Sequence, residues 1–181
     1  MTSGPFDLLL CSCRLSDGAT ADVGCRDGLI AAVGPLDAHP AHRRIDCGGR
    51  AVTPGLVEAH IHLDKALLAD RAPGVEGTLH EAIRVTGEAK RRFSVDDIRA
   101  RARAVLDMAV RHGTTAMRSH VEVDPIVGLR ALEALVPLRD EYRPALDLEL
   151  CAFGQEGIIQ APGTEALLRA ALRAGADLVG G

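Results

Sequence analysis

Residues 56–63 read LVEAHIHL. The run opens apolar, turns polar toward its carboxyl end and follows a Pro54-Gly55 turn signal, which predicts a short strand. The stretch downstream repeats a strand–helix rhythm. A loop over 64–77 leads to a helix expected through 78–92, opened by Thr78 or Gly77. Ser94 is placed to cap SVDDIRARARAVLDMAVRHG (94–113), and Asp97 completes a capping-box-like start with Asp in place of Glu. Ile98, Ala102, Val105, Leu106 and Ala109 form its apolar stripe, and Gly113 ends it. TTAMRSHVEV (114–123) reads as a second strand. PIVGLRALEALVPLRDEY (125–142) reads as a helix that Pro137 bends or ends. ALDLELCAF (145–153) is a third strand, ALLRAALRAG (166–175) a helix opened by Pro162 or Thr164, and ADLVGG (176–181) the start of a fourth strand. Such alternation predicts an α/β domain with a parallel sheet and outer helices. A central parallel strand needs a neighbour on each side. Four units without closure therefore predict the first half of a (β/α)₈ TIM barrel over 54–181, truncated. A complete small open sheet is the competing reading.

Upstream, residues 1–53 have a different texture. PFDLLLCSCRL, GATADVGCRDGLIAAVG and RRIDCGGRAVTPG are short β-type runs broken by Gly, Asp and Pro, which predicts a small antiparallel sheet. About 50 residues of this kind bury little apolar surface alone. They are expected to pack on something else, as part of a small β-sandwich-like domain. The opening MTSGPFDLLLCSC has no basic leader, so no secretion signal is expected. No run reaches the roughly 18 apolar residues of a membrane span.

Composition narrows the function classes. Hydrophobic residues are 47% and charged residues 25%, which excludes a wholly disordered chain. The net charge of −4 gives no support to a nucleic-acid or membrane partner. With no Trp, one Tyr and three Phe, base-stacking platforms are not expected. Five cysteines in no framework spacing, Cys11, Cys13, Cys25, Cys47 and Cys151, read as free thiols of a reducing cytoplasm. Cys11 and Cys13, expected on one face of a strand, are compatible with packing or with a ligand pair. Nucleotide-binding and serine-hydrolase fingerprints are missing from the sequence.

The chemistry gathers at predicted strand ends. His60 and His62, at i and i+2, point to one side of a strand. Neutral imidazoles suit zinc or iron, and barrel active sites lie at carboxyl strand ends. Ordinary packed or surface histidines are the alternative. Asp64 either orients a ligand histidine or caps a helix; Lys65 pairs with Asp64 or faces substrate. His120 ends the second strand in the same sense, followed by Glu122 and Asp124, with Arg118 available to neutralise Glu122. After the third strand comes FGQEGI (153–158). Gln155 offers both a donor and an acceptor to an amide-like ring edge. Glu156 either positions Arg118 or is an ordinary loop acid. His39 and His42 read as solvated, and His112 as a charge at a helix end.

HIHLDK, HGTTAMRSHVEVD, LELCAFGQEGI and LRAGADLVGG, in that order, resemble the amidohydrolase superfamily, and within it cytosine deaminase and its relatives. The resemblance covers nearly the whole chain. It implies a metal-dependent hydrolase barrel supported by a small β-sandwich-like domain. It also implies one divalent ion, zinc or iron, with His60 and His62 as its first ligands, and a substrate-binding role for Gln155. His120, Asp64 and Lys65 belong to the matching pocket-side segments. The implied reaction is hydrolysis of a carbon–nitrogen bond on a small nitrogen heterocycle: cytosine, or an N-substituted amino-triazine-like ring. The family's third histidine, acid/base Glu and metal-linked Asp are expected beyond residue 181, so this chain alone is expected to be inactive. A homo-oligomer or a second polypeptide completing the barrel is compatible with that, as is a non-catalytic, ligand-binding relic of the fold.

Overall fold

The computed structural model describes residues 4–180. The first three residues of the opening run, and Gly181 at the end of ADLVGG, lie outside the described residues. The chain divides into two compact units, Met1–Pro54 and Gly55–Gly181.

In the first unit, β1 (Phe6–Arg14), β2 (Thr20–Arg26), β3 (Leu29–Gly34) and β4 (Ala41–Asp46) form one sheet in the order β3-β2-β1-β4. β1, β2 and β3 pair antiparallel as expected, but β4 runs parallel to β1. The reason is the crossover after β3. Leu36 is buried with Phe6 and Leu9 in a small core, and its N–H donates to Asp22 Oδ2 at 2.9 Å. That anchor carries the chain across the sheet, where a hairpin would have returned it beside β3. The one-face expectation for Cys11 and Cys13 also changes. An irregularity between Leu10 and Cys13, with Ser12 at φ 55, interrupts the strand alternation. Cys13 is buried and Cys11 half-buried.

In the second unit, β5 (Leu56–Ile61), β6 (Thr114–Glu122), β7 (Asp147–Phe153) and β8 (Leu178–Val179) are parallel neighbours in chain order. Helices α1 (Leu79–Ala89), α2 (Val95–Arg111), α3 (Arg130–Tyr142) and α4 (Thr164–Arg173) alternate with them. Caps set two of the helix starts: Thr78 Oγ1 accepts from Glu81 N–H at 3.2 Å, and Ser94 Oγ from Asp97 N–H at 3.2 Å. α3 starts five residues later than expected. Asp124 Oδ1 accepts from the N–H groups of Ile126 (2.7 Å) and Val127 (2.8 Å), and Gly128 turns at φ 59, so residues 125–129 form a capped loop. Pro137 does not end α3. An interior proline costs about 3 kcal/mol, but Leu132, Leu135 and Leu138 around it are buried, each contributing about 2 kcal/mol.

The sheet has two chemically distinct faces. Met117, Ser119 and Val121 of β6, and Leu148, Leu150 and Ala152 of β7, are buried; the apolar ones, apart from these strands' other residues, join the cluster formed with the helices. Alternation puts Arg118, His120 and Glu122 on the opposite face, paired across to Glu149, Cys151 and Phe153. Arg118, His120 and Glu122 therefore lie on the face turned away from the helix-packed core, running toward the carboxyl end of β6.

Candidate metal and substrate site

Three histidines meet at those carboxyl ends. The His60 and His62 ring centroids are 5.4 Å apart, and those of His62 and His120 5.8 Å. His60 and His120 stack at 4.1 Å. His62 Nδ1 lies 3.1 Å from the His120 carbonyl oxygen. A carbonyl only accepts, so Nδ1 carries the proton and the Nε2 lone pair is left free. Burial pushes His62 down to about 4, and the Lys65 ammonium pushes the same way. Burial also lowers His120, helped by His60 and Arg118. Near neutral pH, both rings are thus uncharged. His120 Nδ1 is buried without a hydrogen-bond partner. Uncharged imidazoles with an oriented tautomer and an unspent buried nitrogen are the donor set that zinc or iron takes, so these residues fit a divalent ion.

The local fold holds this group rigidly. After β5 the chain makes a short 3₁₀ turn, Leu63–Lys65. Leu63 N–H donates to Ser119 Oγ of β6 at 3.1 Å. Arg101 of α2 donates to the carbonyls of Asp64 (3.0 Å) and Ala66 (2.8 Å). Asp64 is buried, and its Oδ2 accepts from Glu122 N–H at 3.1 Å. Burial raises Asp64 to about 6, against the opposing pull of Lys65.

Beside the histidines is a cavity of about 270 Å³, lined in part by His62, Lys65, Lys90, Glu122 and Gln155. Lys65 Nζ donates to Glu122 Oε2 at 2.8 Å and to Gln155 Oε1 at 3.3 Å, and lies 5.1 Å from the Phe153 ring centroid. The Phe153 ring is 5.3 Å from His62 and 6.0 Å from His120, forming an apolar wall. Behind it the carboxylates of Glu122, Asp124 and Glu156 approach within 4.8 Å of one another, a spacing that suits a cation. The Lys90 ammonium bonds to all three, at 2.5 Å from Asp124 Oδ2. Burial works against that charge, but the three carboxylates outweigh it and hold Lys90 above the ordinary lysine value.

His60, His62, His120, Lys65 and Gln155 therefore come together. Asp64 supports Glu122 from within the protein and is not among the cavity-lining residues. Arg118 pairs with Glu149, while Glu122 and Glu156 are held by lysine. Sequence reasoning missed Lys90 and the aromatic wall of Phe153. A signal for Lys90 was present: nearly every cation of this chain is arginine, and its only two lysines are Lys65 and Lys90. Both reach Glu122.

A family model described as "Amidohydrolase family" matches residues 43–135, just over half of the chain. The chain belongs to the amidohydrolase family. It is 30% identical over 185 residues to N-isopropylammelide isopropyl amidohydrolase of Pseudomonas sp. (strain ADP), covering 99% of this chain and 46% of that protein. Among solved structures, 5-methylcytosine deaminase from Klebsiella pneumoniae with 5-fluorocytosine superposes with a TM-score of 0.84 at 34% identity. That match covers 96% of this chain and 43% of the deaminase. Atrazine chlorohydrolase from Arthrobacter aurescens TC1, complexed with zinc, shares the fold at 20% identity and a TM-score of 0.69, covering 92% of this chain and 42% of its own. The amidohydrolase chain thus spans a little under half the length of these relatives. Its second unit is the N-terminal part of an amidohydrolase (β/α)₈ barrel, about four β/α units.

Proposed function

We propose that this amidohydrolase chain supplies the metal- and ring-binding part of an enzyme that hydrolyses a carbon–nitrogen bond on a small nitrogen heterocycle. The observation that carries the reading is the convergence of His60, His62 and His120 beside the Lys65–Gln155 pair. His60 and His62 would hold one divalent ion, zinc or iron, with the unpartnered His120 Nδ1 next to them. When bound, that ion supplies a Lewis acid that makes water nucleophilic near neutral pH.

The chain's own residues then bind and orient. Lys65 has only donors, so the Gln155 atom facing it is the oxygen. The Gln155 Nε2 hydrogens are left to donate to a ring carbonyl. Phe153 offers a flat apolar surface for the ring. Glu122 and Asp124 are poor acid/base candidates, because the lysines satisfy their charge. The chain on its own is therefore proposed to bind without turnover, with the remaining β/α units supplied by further polypeptide or a second chain. A cytoplasmic location fits its free thiols. The names of the relatives support two ring classes, pyrimidines such as cytosine and N-alkylated amino-triazines such as N-isopropylammelide. The acceptor-bearing edges that Gln155 would read occur in both.

Metal analysis of chain purified from zinc- or iron-supplemented medium tests the reading. About one ion per chain is expected, with loss in His62→Ala. A molar ratio near zero in the wild type refutes the site. Binding of cytosine or N-isopropylammelide, measured calorimetrically, then separates the two ring classes. Metal retention with neither ring bound would refute the ring assignment.

A further inference from the structure

We propose that Lys90 is the positioning residue for Gln155, fixing it both through the backbone of the 154–157 turn and through the amide oxygen of its side chain. The inference deepens the proposed function, since it rests on Gln155 being the group that meets the ring.

Lys90 follows α1, at a helix junction remote in sequence from Gln155. Its side chain is almost wholly buried. Burying an ammonium is costly unless it is fully paired, and here its three N–H donors meet three carboxylates. One of these, Glu156, is the residue after Gln155. Lys90 thereby fastens the turn, which Gly157 N–H closes onto the Gly154 carbonyl at 3.0 Å. The turn has little slack: a Cβ at Gly154 would come within 2.7 Å of Thr164 Cγ2, and Gly157 sits at φ 82. The second route is a chain of hydrogen bonds. Lys90 holds Glu122 Oε1, leaving Oε2 for Lys65 at 2.8 Å, and Lys65 reaches Gln155 Oε1 at 3.3 Å.

Residue choice agrees with this role. Arginine's planar fork would not place three donors around one point, whereas an ammonium does. In a chain that otherwise uses arginine for every cation, lysine occurs only at the two links of this path. Fixing Gln155 before a ring arrives removes part of the ordering cost of binding.

The test is ¹⁵N relaxation on the full chain and on Lys90→Met, without ligand. The chain has two glutamines, Gln155 and Gln160, so Gln155→Glu identifies the side-chain amide. In the wild type a backbone order parameter of about 0.85 is expected at Gln155, falling below about 0.6 in Lys90→Met. The Gln155 amide should shift toward the position of a solvated glutamine. The 73–77 loop, pinned independently by the Glu81 carboxylate, should keep its order. Unchanged Gln155 signals in a folded Lys90→Met protein overturn the proposal, as does equal loosening of 73–77, which marks a merely structural role. Should Lys90→Met fail to fold, Glu156→Ala serves instead, because Glu156 is only partly buried. Loss of order at Gln155 supports the proposal and retention overturns it. Adding cytosine, and separately N-isopropylammelide, to the wild type distinguishes the underlying reading. If the Gln155 amide moves with neither, its ring-binding role fails while the Lys90 result stands on the ligand-free spectra.

Discussion

Arg118 and Glu122 lie four residues apart on the same face of β6, and both form ion pairs, in opposite surroundings. Arg118 pairs with Glu149 across to β7, with side chains 48% and 40% exposed. That pair borders a wide hollow at the amino ends of the strands, lined also by Val57, Ala116 and Asp147. Glu122, two rungs nearer the carboxyl end, is 3% exposed and holds two lysines. The upper network is completed by Asp124 and Glu156; the lower pair stands close to solvent. One strand thus carries a screened surface pair and a desolvated polar cluster. Burial, more than the number of charges, should therefore decide how much each network contributes to stability.

The largest effect should come from breaking the buried cluster. Lys90→Met leaves three carboxylates facing one another and should cost about 3–5 kcal/mol, the usual penalty for stranding buried charge. Urea denaturation measures it. A loss under about 1 kcal/mol would mean that water enters the cluster and that the contrast with Arg118 is false.

Acid titration sharpens the same comparison. Burial raises Asp124, but the Lys90 ammonium and the Val127 N–H outweigh it and hold the carboxyl down to about 2. The unfolded chain protonates this group near 3.8 and the folded chain only near 2. Its stabilisation is therefore present above pH 3.8 and lost as pH falls toward 2. On the order of 2 kcal/mol should disappear across that window, and Asp124→Asn should flatten the slope. Glu156 acts in the opposite sense and at higher pH, because burial raises it above 4.5: its protonation in the folded chain adds stability as pH falls toward 4.5, and Glu156→Gln should remove that gain. Thermal melts between pH 7 and pH 2 read both effects.

The exposed pair should respond least. Arg118→Met should leave the urea midpoint nearly unchanged. Salt should separate the two regions last. At 1 M sodium chloride, where screening acts over about 3 Å, the small Arg118 effect should vanish while the Lys90→Met loss remains. A Lys90 effect that shrinks equally with salt would place both networks in the same dielectric.

Much of the fold was legible because it depends on short-range rules. Ser94 and Thr78 cap their helices, Gly113 follows the end of α2, and the strand–helix alternation produces parallel neighbours. Pro137 does not end α3, because the leucines packed on either side of it outweigh its propensity. Asp124 took the 125–129 backbone that a helix start would have used. The β4 direction depended on where Leu36 found its core, which no local pattern states. At the site, the i, i+2 spacing and strand-end position marked His60, His62 and His120. Glu122 was paired with Arg118, four residues away in sequence, and Arg118 was one of two readings for Glu156, but in space Lys90 meets both carboxylates and Arg118 meets Glu149.

The sequence by itself determined the strand–helix order, the capped helix starts, and which residue types could serve as metal ligands and ring contacts. These follow from side-chain chemistry and from periodicities of two and 3.6 residues. Only the tertiary structure decided which cation met which carboxylate, which tautomer His62 must hold, and how Gln155 is turned. Those outcomes depend on desolvation and on contacts 32 to 90 residues apart along the chain, distances at which local sequence carries no geometric information.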